Sequence, residues 1–190
     1  PGGDGTAAER MINVCKQYSG TGEFWAIVPG KAKSAATMIC LGASKIYMGG
    51  ASELGPVDPQ IAIFQDDRPY YLSTFHIVTT YRDFFNKAIH EKGRIEPYLQ
   101  HLGRWDAGVI SHFESGIELS KDISIKALKN GMMSNLLETE IEEKIKVFLT
   151  PDDTKTHGRP IFRDRAKECG LEIEFINHTD DIWECLYELY

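Results

Sequence analysis

The segment from Trp25 to Met48 constrains the fold of this chain most, because two apolar runs flank a turn and a short alanine-rich stretch. Residues 24–28 are bulky and apolar, as in a buried strand of a parallel sheet, and residues 45–48 predict a second strand. The stretch from Ser34 onward predicts a short helix that begins at this serine. A strand, a helix and a strand in such short steps are typical of the βαβ units of an α/β fold.

Ser34 has two interpretations at the start of that helix. Its hydroxyl would lie at the positive end of the helix dipole, beside backbone N–H groups without partners in the helix, where an oxyanion could be stabilised. Serine is also a preferred N-cap residue, and by position alone Ser34 is better explained as a cap. The choice between cap and nucleophile therefore depends on the rest of the chain.

The start of the chain predicts a turn followed by a helix. Residues 1–5 are Pro-Gly-Gly-Asp-Gly, and Thr6 and Glu9 form a capping-box pattern at a helix start. One helix face would then carry Ala8, Met11, Ile12 and Cys15. In a βαβ array the turns that follow the strands share one rim, so Gly2, Gly3 and Ser34 should lie there together. The array also calls for a strand before Pro1, and we interpret the chain as a single domain over 1–190 that lacks its N-terminal strand or strands.

The middle of the chain predicts loops and helices. Residues 49–59 contain two prolines, three glycines and an Asp-Pro step and should form a shaped loop without regular structure, with Asp58 on the same rim. Further helices are predicted at 71–92, in shorter stretches through Leu119 and Leu128, and at 138–146. A polar loop at 148–161 leads into a helix that ends at Gly170, followed by a strand at 171–176 and a helix at 180–190 with Ile182, Trp183, Leu186 and Leu189 inward.

Composition excludes several classes of function. The net charge is -7, and the lysines and arginines are scattered, so no basic patch is present for nucleic acid or anionic lipid. Four cysteines without a CxxC pair indicate free thiols of a reducing compartment and argue against zinc. No apolar run is long enough to span a membrane, which favours a cytoplasmic location. Membrane association would require a missing N-terminal segment.

Four motifs in a fixed order carry a family resemblance. They are Pro-Gly-Gly at 1–3, Lys-Ser-Ala-Ala-Thr at 33–37, Ser-Glu-Leu-Gly-Pro-Val-Asp-Pro-Gln at 52–60, and Lys-Thr-His-Gly-Arg-Pro at 155–160. Together they resemble the serine dehydrogenase proteinase family, which is related to the Clp protease subunit and to signal peptide peptidases. The resemblance implies a Clp/crotonase-like fold of stacked βαβ units, with a parallel sheet and an α-helical middle and C-terminal region. It also implies a homo-oligomer that acts on peptides or proteins without a cofactor.

The resemblance also implies a set of site residues. These are a catalytic triad of Ser34, Asp58 and His157, and an oxyanion hole formed by backbone N–H groups of Gly2 or Gly3 and of Ala35. Peptide hydrolysis needs a hydroxyl nucleophile, a base to take its proton and a carboxylate to orient the base. Among the six histidines, His157 alone lies in a loop bracketed by glycine and proline, where functional side chains are commonly presented.

Several alternatives stay open. Signal peptide peptidases of this fold pair serine with lysine, and Lys87 is the candidate for a buried, desolvated lysine base. Lys33 is more simply explained as a solvated side chain, and Asp58 as a turn residue before proline. We expect a serine peptidase that hydrolyses peptide bonds through an acyl-serine intermediate, without ATP for the hydrolysis itself. A crotonase-like acyl-CoA enzyme or a catalytically inactive oligomeric scaffold of the same fold are the alternatives.

Overall fold

The computed structural model of the protein describes residues 3–90 and 93–189, apart from the side chain of residue 187. The structure is mixed α and β, with 53% helix and 16% strand, and it contains a parallel sheet, which confirms the predicted class. The chain forms two compact units, Pro1–Val57 with Ser120–Tyr190, and Asp58–Leu119. The prediction of one domain over 1–190 stays a prediction. No helix among the described residues is both long and apolar enough to cross a membrane.

The helices and strands follow one another in short steps. In chain order they are α1 (Gly5–Tyr18), β1 (Trp25–Val28), β2 (Lys31–Ala32), α2 (Ala35–Gly42), β3 (Lys45–Met48), β4 (Glu53–Leu54), β5 (Gln60–Gln65), β6 (Arg68–Ser73), α3 (Thr74–His90), α4 (Glu96–Leu102), α5 (Ala107–Lys129), α6 (Glu138–Lys144), α7 (Lys146–Leu149), α8 (Pro151–Thr154), β7 (Ile161–Phe162), α9 (Arg163–Glu168), β8 (Ile173–Phe175) and α10 (Asp181–Leu189).

The first unit contains the predicted parallel sheet. Its strand order is β1-β3-β8, and both neighbours of β3 run parallel to it. Ile46 and Met48 of β3 are fully buried, as the central strand of a covered sheet requires. Leu41 of α2 and Phe148 of α7 belong to the same fully buried core. The predicted strand, helix and strand from Trp25 to Met48 are therefore confirmed. The prediction that the first strand is buried was wrong, because β1 lies at the edge of this sheet and exposes Trp25 and Ile27.

A second, smaller sheet has the order β2-β4-β7. β4 runs parallel to β2, with Lys31 opposite Glu53, and antiparallel to β7, with Leu54 opposite Ile161. The prediction that residues 49–59 contain no regular structure was therefore wrong at β4. Two residues are too few to show the alternation of a strand in the sequence, and only pairing with β2 and β7 defines this one.

Helix α1 begins differently from the predicted capping box. The carboxylate of Asp4 accepts hydrogen bonds from the Ala7 amide at 2.9 Å and from the Thr6 hydroxyl at 2.5 Å, so Asp4 is the N-cap. These bonds, the one from Thr6 above all, lower the pKa of the Asp4 carboxyl. Of the predicted inward face, Ala8 and Ile12 are buried, whereas Met11 is exposed.

Helices α1 and α2 approach each other closely at Gly42. A β-carbon added to Gly42 would lie 2.7 Å from two side-chain carbons of Ile12. We expect Gly42→Ala to destabilise the protein by about 1–3 kcal/mol, because the buried Ile12 side chain must change rotamer or α1 must shift. Chemical unfolding measures this change. Gly50→Ala is the control, since no atom lies within 4 Å of a β-carbon there, and equal losses for the two variants would contradict the expectation.

The C-terminal helix α10 is present as predicted, but only half of its predicted inward face is covered. Ile182 and Leu189 are exposed, whereas Trp183 and Leu186 are half-buried. A β-carbon on Gly49 would lie 2.5 Å from the indole of Trp183, so this aromatic ring packs directly on the backbone that follows β3. The contact of Trp183 with Gly49 thus helps to position a helix that leaves Ile182 and Leu189 in solvent.

The second unit contains an antiparallel hairpin and a group of helices. β5 pairs with β6 from Gln60 opposite Ser73 to Gln65 opposite Arg68, with Asp66 and Asp67 at positive φ in the turn. This hairpin was not predicted from the sequence. The next helix was predicted to begin at residue 71, but α3 starts only at Thr74. The apolar cluster of this unit consists of Ile77, Val78, Ile110 and Phe113. Phe85 and Ile89 of α3 are exposed.

All four cysteines are free thiols, as predicted. Cys40 and Cys169 are buried, Cys15 is half-buried and Cys185 is exposed. Burial raises the pKa of the Cys40 thiol to about 12 and also raises the pKa of Cys169. A thiol held in its neutral form is a poor nucleophile, so the two buried cysteines are packing residues.

Candidate active site

Ser34 has an unusual backbone conformation. It lies between β2 and α2 with φ 54° and ψ -122°, a region in which glycine is common and other residues are rare. Its amide donates to the carbonyl of Pro56 at 3.1 Å, and its carbonyl accepts from the amide of Met38 at 3.1 Å. The surrounding structure therefore holds the backbone on both sides of Ser34 in a conformation that costs about 1–3 kcal/mol.

The Ser34 hydroxyl is not used as a helix cap. Ser34 occupies the N-cap position of α2, but its side chain makes no capping hydrogen bond, and no described residue hydrogen-bonds its hydroxyl. The side chain is half-buried. The explanation of Ser34 as an ordinary cap therefore lacks the hydrogen bond that defines such a cap.

Two of the predicted oxyanion-hole residues lie against each other. A β-carbon on Gly3 would be 4.0 Å from the β-carbon of Ala35. Among the described residues, neither the amide of Gly3 nor that of Ala35 donates a backbone hydrogen bond, as expected for Ala35 in the first turn of a helix. The two residues that the resemblance assigns to anion binding therefore lie close together, and Ala35 directly follows Ser34 in the chain. Gly2, the other predicted residue, lies outside the described residues.

His157 lies in a tight turn between α8 and β7. The amide of Arg159 donates to the carbonyl of Thr156 at 3.2 Å, which places His157 and Gly158 at the centre of the turn. Lys155 before it has a left-handed conformation and ends α8. His157 is half-buried, whereas the other five histidines of the chain are exposed. The predicted polar loop therefore contains a short helix and a turn that holds its histidine.

The β2-β4-β7 sheet brings the Ser34 and His157 segments to the same edge. β2 ends at Ala32, shortly before Ser34, and β7 begins at Ile161, shortly after His157. Because β4 is parallel to β2 and antiparallel to β7, the end of β2 and the start of β7 share one edge. The ammonium of Lys33 lies 3.5 Å from the carbonyl oxygen of Gly158, which links the two segments directly. The hydroxyl of Ser34 itself makes no hydrogen bond to His157.

Asp58 is a buried residue with 1% of its surface exposed, and it begins the second unit. The residue before it is anchored in the first unit, because the amide of Val57 donates to the carbonyl of Phe148 at 2.8 Å. The residue after it is anchored in the second unit, where the carbonyl of Pro59 accepts from the Thr74 amide at 3.0 Å. The role of Asp58 as the acid of a triad stays a prediction.

Lys87 lies on α3 with 47% of its side chain exposed and forms an ion pair with Asp83 at 2.6 Å. A lysine base requires desolvation to favour its neutral form, whereas an exposed ion pair favours the charged form. The role of Lys87 as the alternative base stays a prediction that its surroundings do not favour. No group of three potential metal ligands lies within the described residues.

The ion pair between Lys33 and Glu53 was not predicted from the sequence. Lys33 was interpreted as a solvated side chain, but it is only 18% exposed and pairs with Glu53 at 3.0 Å. The two residues are far apart in the chain and meet only because β2 pairs with β4. No local pattern in the sequence indicates such a pair.

Comparison with known proteins gives one relative of note. An uncharacterized protein of Methanocaldococcus jannaschii is 30% identical over 195 aligned positions, which cover 100% of this chain and 56% of that protein. The chain thus spans about half the length of the relative that it matches. No family model matches the chain. No solved structure matches it either.

Proposed function

We propose that this chain is a serine hydrolase of the peptidase class, with a Clp/crotonase-like fold and Ser34 as the nucleophile. The observation that carries the proposal is the strained backbone of Ser34, with φ 54° and ψ -122°, at the start of a buried helix. Strained residues that the surrounding structure over-determines cluster at active sites. A serine that neither caps its helix nor relaxes to ordinary dihedral angles is thus well suited to nucleophilic attack.

The amides near Ser34 support acyl transfer as the reaction type. In the proposed reaction the Ser34 oxygen bonds to a peptide carbonyl carbon while His157 takes the hydroxyl proton. The negative charge moves to the carbonyl oxygen and is stabilised by the N–H groups of Ala35 and Gly3. The amine then leaves with the proton from His157, and water, activated by the same histidine, hydrolyses the acyl-serine. The step needs no cofactor.

His157 is the proposed general base because its segment shares a sheet edge with the Ser34 segment. Hydrogen bonds between catalytic groups are often long in free enzymes and tighten when substrate binds, so the missing Ser34–His157 bond is compatible with this role. Asp58 is proposed as the carboxylate that orients the histidine, on the basis of the family resemblance. A peptide or protein substrate and a homo-oligomeric assembly are proposed on the same basis, and a cytoplasmic location on the basis of the four free cysteines.

Labelling with a fluorophosphonate tests the proposal. The probe forms a phosphorus–oxygen bond to an activated serine and releases fluoride, so the wild-type protein should gain one adduct. Fragmentation of the labelled peptide should place the adduct on Ser34 and not on Ser44, the half-buried serine that follows the same helix α2. A folded protein that never labels contradicts the proposal. Tight binding of a CoA thioester without labelling would then favour the acyl-CoA enzyme. A protein that neither labels nor binds a CoA thioester would favour the inactive scaffold.

A further inference from the structure

Lys33 makes three polar contacts from a half-buried position directly before Ser34. Its ammonium lies 3.0 Å from a carboxylate oxygen of Glu53, 3.0 Å from the carbonyl oxygen of Leu54 and 3.5 Å from the carbonyl oxygen of Gly158. An ammonium has three N–H donors, so these acceptors use its full capacity. The contact with Gly158 is long for a hydrogen bond but is directed at the residue next to His157.

The path of the Lys33 side chain is set by Gly55. A β-carbon on Gly55 would lie only 2.2 Å from Cδ of Lys33, so the lysine stem runs directly over the glycine backbone. The amide of Gly55 donates to the hydroxyl of Thr37 at 3.2 Å, and that hydroxyl donates to the carbonyl of Ala32 at 2.8 Å. The stem therefore packs on a glycine that is hydrogen-bonded to Thr37, which in turn bonds Ala32 on the other side of Ser34.

Glu53 keeps the Lys33 ammonium in this place. Its side chain is 14% exposed and that of Lys33 is 18% exposed, so both charges are largely removed from water. Such charges need each other, because removing one partner leaves the other buried without compensation. Lys31 lies 3.9 Å from the same carboxylate but is 73% exposed, and it is a solvated neighbour of the pair.

We infer that Lys33 is a positioning residue that holds the His157 turn against the Ser34 segment through the carbonyl of Gly158. The inference rests on the proposed function and adds to it a residue that acts through the base. The ammonium joins the end of β4 to the turn before β7, and its own backbone leads directly into Ser34. A displacement of a catalytic group by about 1 Å can cost about 10²-fold in rate.

Substitution of Lys33 by glutamine tests the inference. We expect Lys33→Gln to lower the rate of fluorophosphonate labelling about 10- to 100-fold, whereas Lys31→Gln should change it less than about twofold. Because Lys33→Gln leaves Glu53 with only the 3.9 Å contact to the exposed Lys31, the double variant Lys33→Gln/Glu53→Gln is measured as well. It removes both charges and so avoids an uncompensated buried carboxylate. The inference requires the same loss of rate in the double variant.

A double-mutant cycle separates positioning from a merely structural effect. If Lys33 acts through His157, Lys33→Gln should have almost no further effect on the labelling rate in a His157→Ala background. An equal loss in both backgrounds, or no loss in either, overturns the inference.

Histidine NMR tests Lys33 independently of activity. In protein labelled at histidine, Lys33→Gln should shift the ring resonances of His157, identified by their loss in His157→Ala, and leave those of the other five histidines unchanged. Unchanged His157 resonances overturn the inference even if the wild-type protein labels. If the wild-type protein does not label, the proposed function fails. A shift of the His157 resonances in Lys33→Gln would still show that Lys33 holds the turn, and unchanged resonances would show that it does not.

Discussion

Ser34→Ala is expected to abolish fluorophosphonate labelling and leave the protein folded. The substitution removes the attacking oxygen but keeps a β-carbon at the same backbone position, so the packing around α2 is unchanged. Because the hydroxyl makes no hydrogen bond within the described structure, its loss leaves no described group without a partner. Intact-mass spectrometry and a thermal melt measure the two outcomes. Ser44→Ala is the matched control and should label like the wild type.

Ser34→Gly extends this test to the backbone. Glycine adopts φ 54° and ψ -122° without strain, so the variant should be more stable than Ser34→Ala by about 1 kcal/mol, and it should also fail to label. Chemical unfolding of the two variants measures the difference. At Ser44, where φ is not positive, the Ser44→Gly variant should be no more stable than the Ser44→Ala variant. If Ser34→Gly is the less stable variant, the backbone at Ser34 stores no strain.

His157→Ala is expected to slow labelling of Ser34 by about 10²- to 10⁴-fold, the usual contribution of a general base. The half-buried ring lies in a turn at the same sheet edge as Ser34, and its loss removes the group that would take the hydroxyl proton. His178→Ala is the control, because that ring is exposed and follows β8. A labelling rate within threefold of the wild type in His157→Ala would exclude His157 as the base.

The pH dependence of labelling gives a second measurement on the same variants. A base accepts a proton only after losing its own, so the wild-type rate should rise with pH. His157→Ala should lack this rise, whereas Lys87→Gln should keep it. The opposite pattern would assign the base to Lys87, although its exposed ion pair with Asp83 does not favour that role.

Elements that depend on local patterns could be predicted from the sequence. β1, α2 and β3 occur where their apolar runs and turn residues indicated, and the charged helix α6 lies within its predicted range. The hairpin of β5 and β6 was missed because most of its residues are exposed and its strands pair mainly with each other, so no clear alternation marks it. The inner face of α10 was predicted only in part, because Trp183 and Leu186 are partly covered whereas Ile182 and Leu189 are exposed.

The sequence by itself determined that Ser34 starts a helix after a strand, that Gly3 belongs to a glycine-rich segment before α1, and that His157 lies in a polar segment bounded by Pro151 and by Gly158 and Pro160. Only the tertiary structure decided the backbone of Ser34 and the surroundings of Lys33. The Ser34 conformation is held by a hydrogen bond to Pro56, and Lys33 reaches Glu53 and Gly158 only because β2, β4 and β7 pair. Contacts between segments that are distant in the chain therefore decide the backbone conformation of Ser34 and the contacts of Lys33. Local propensities act over a few residues and carry no information about such contacts.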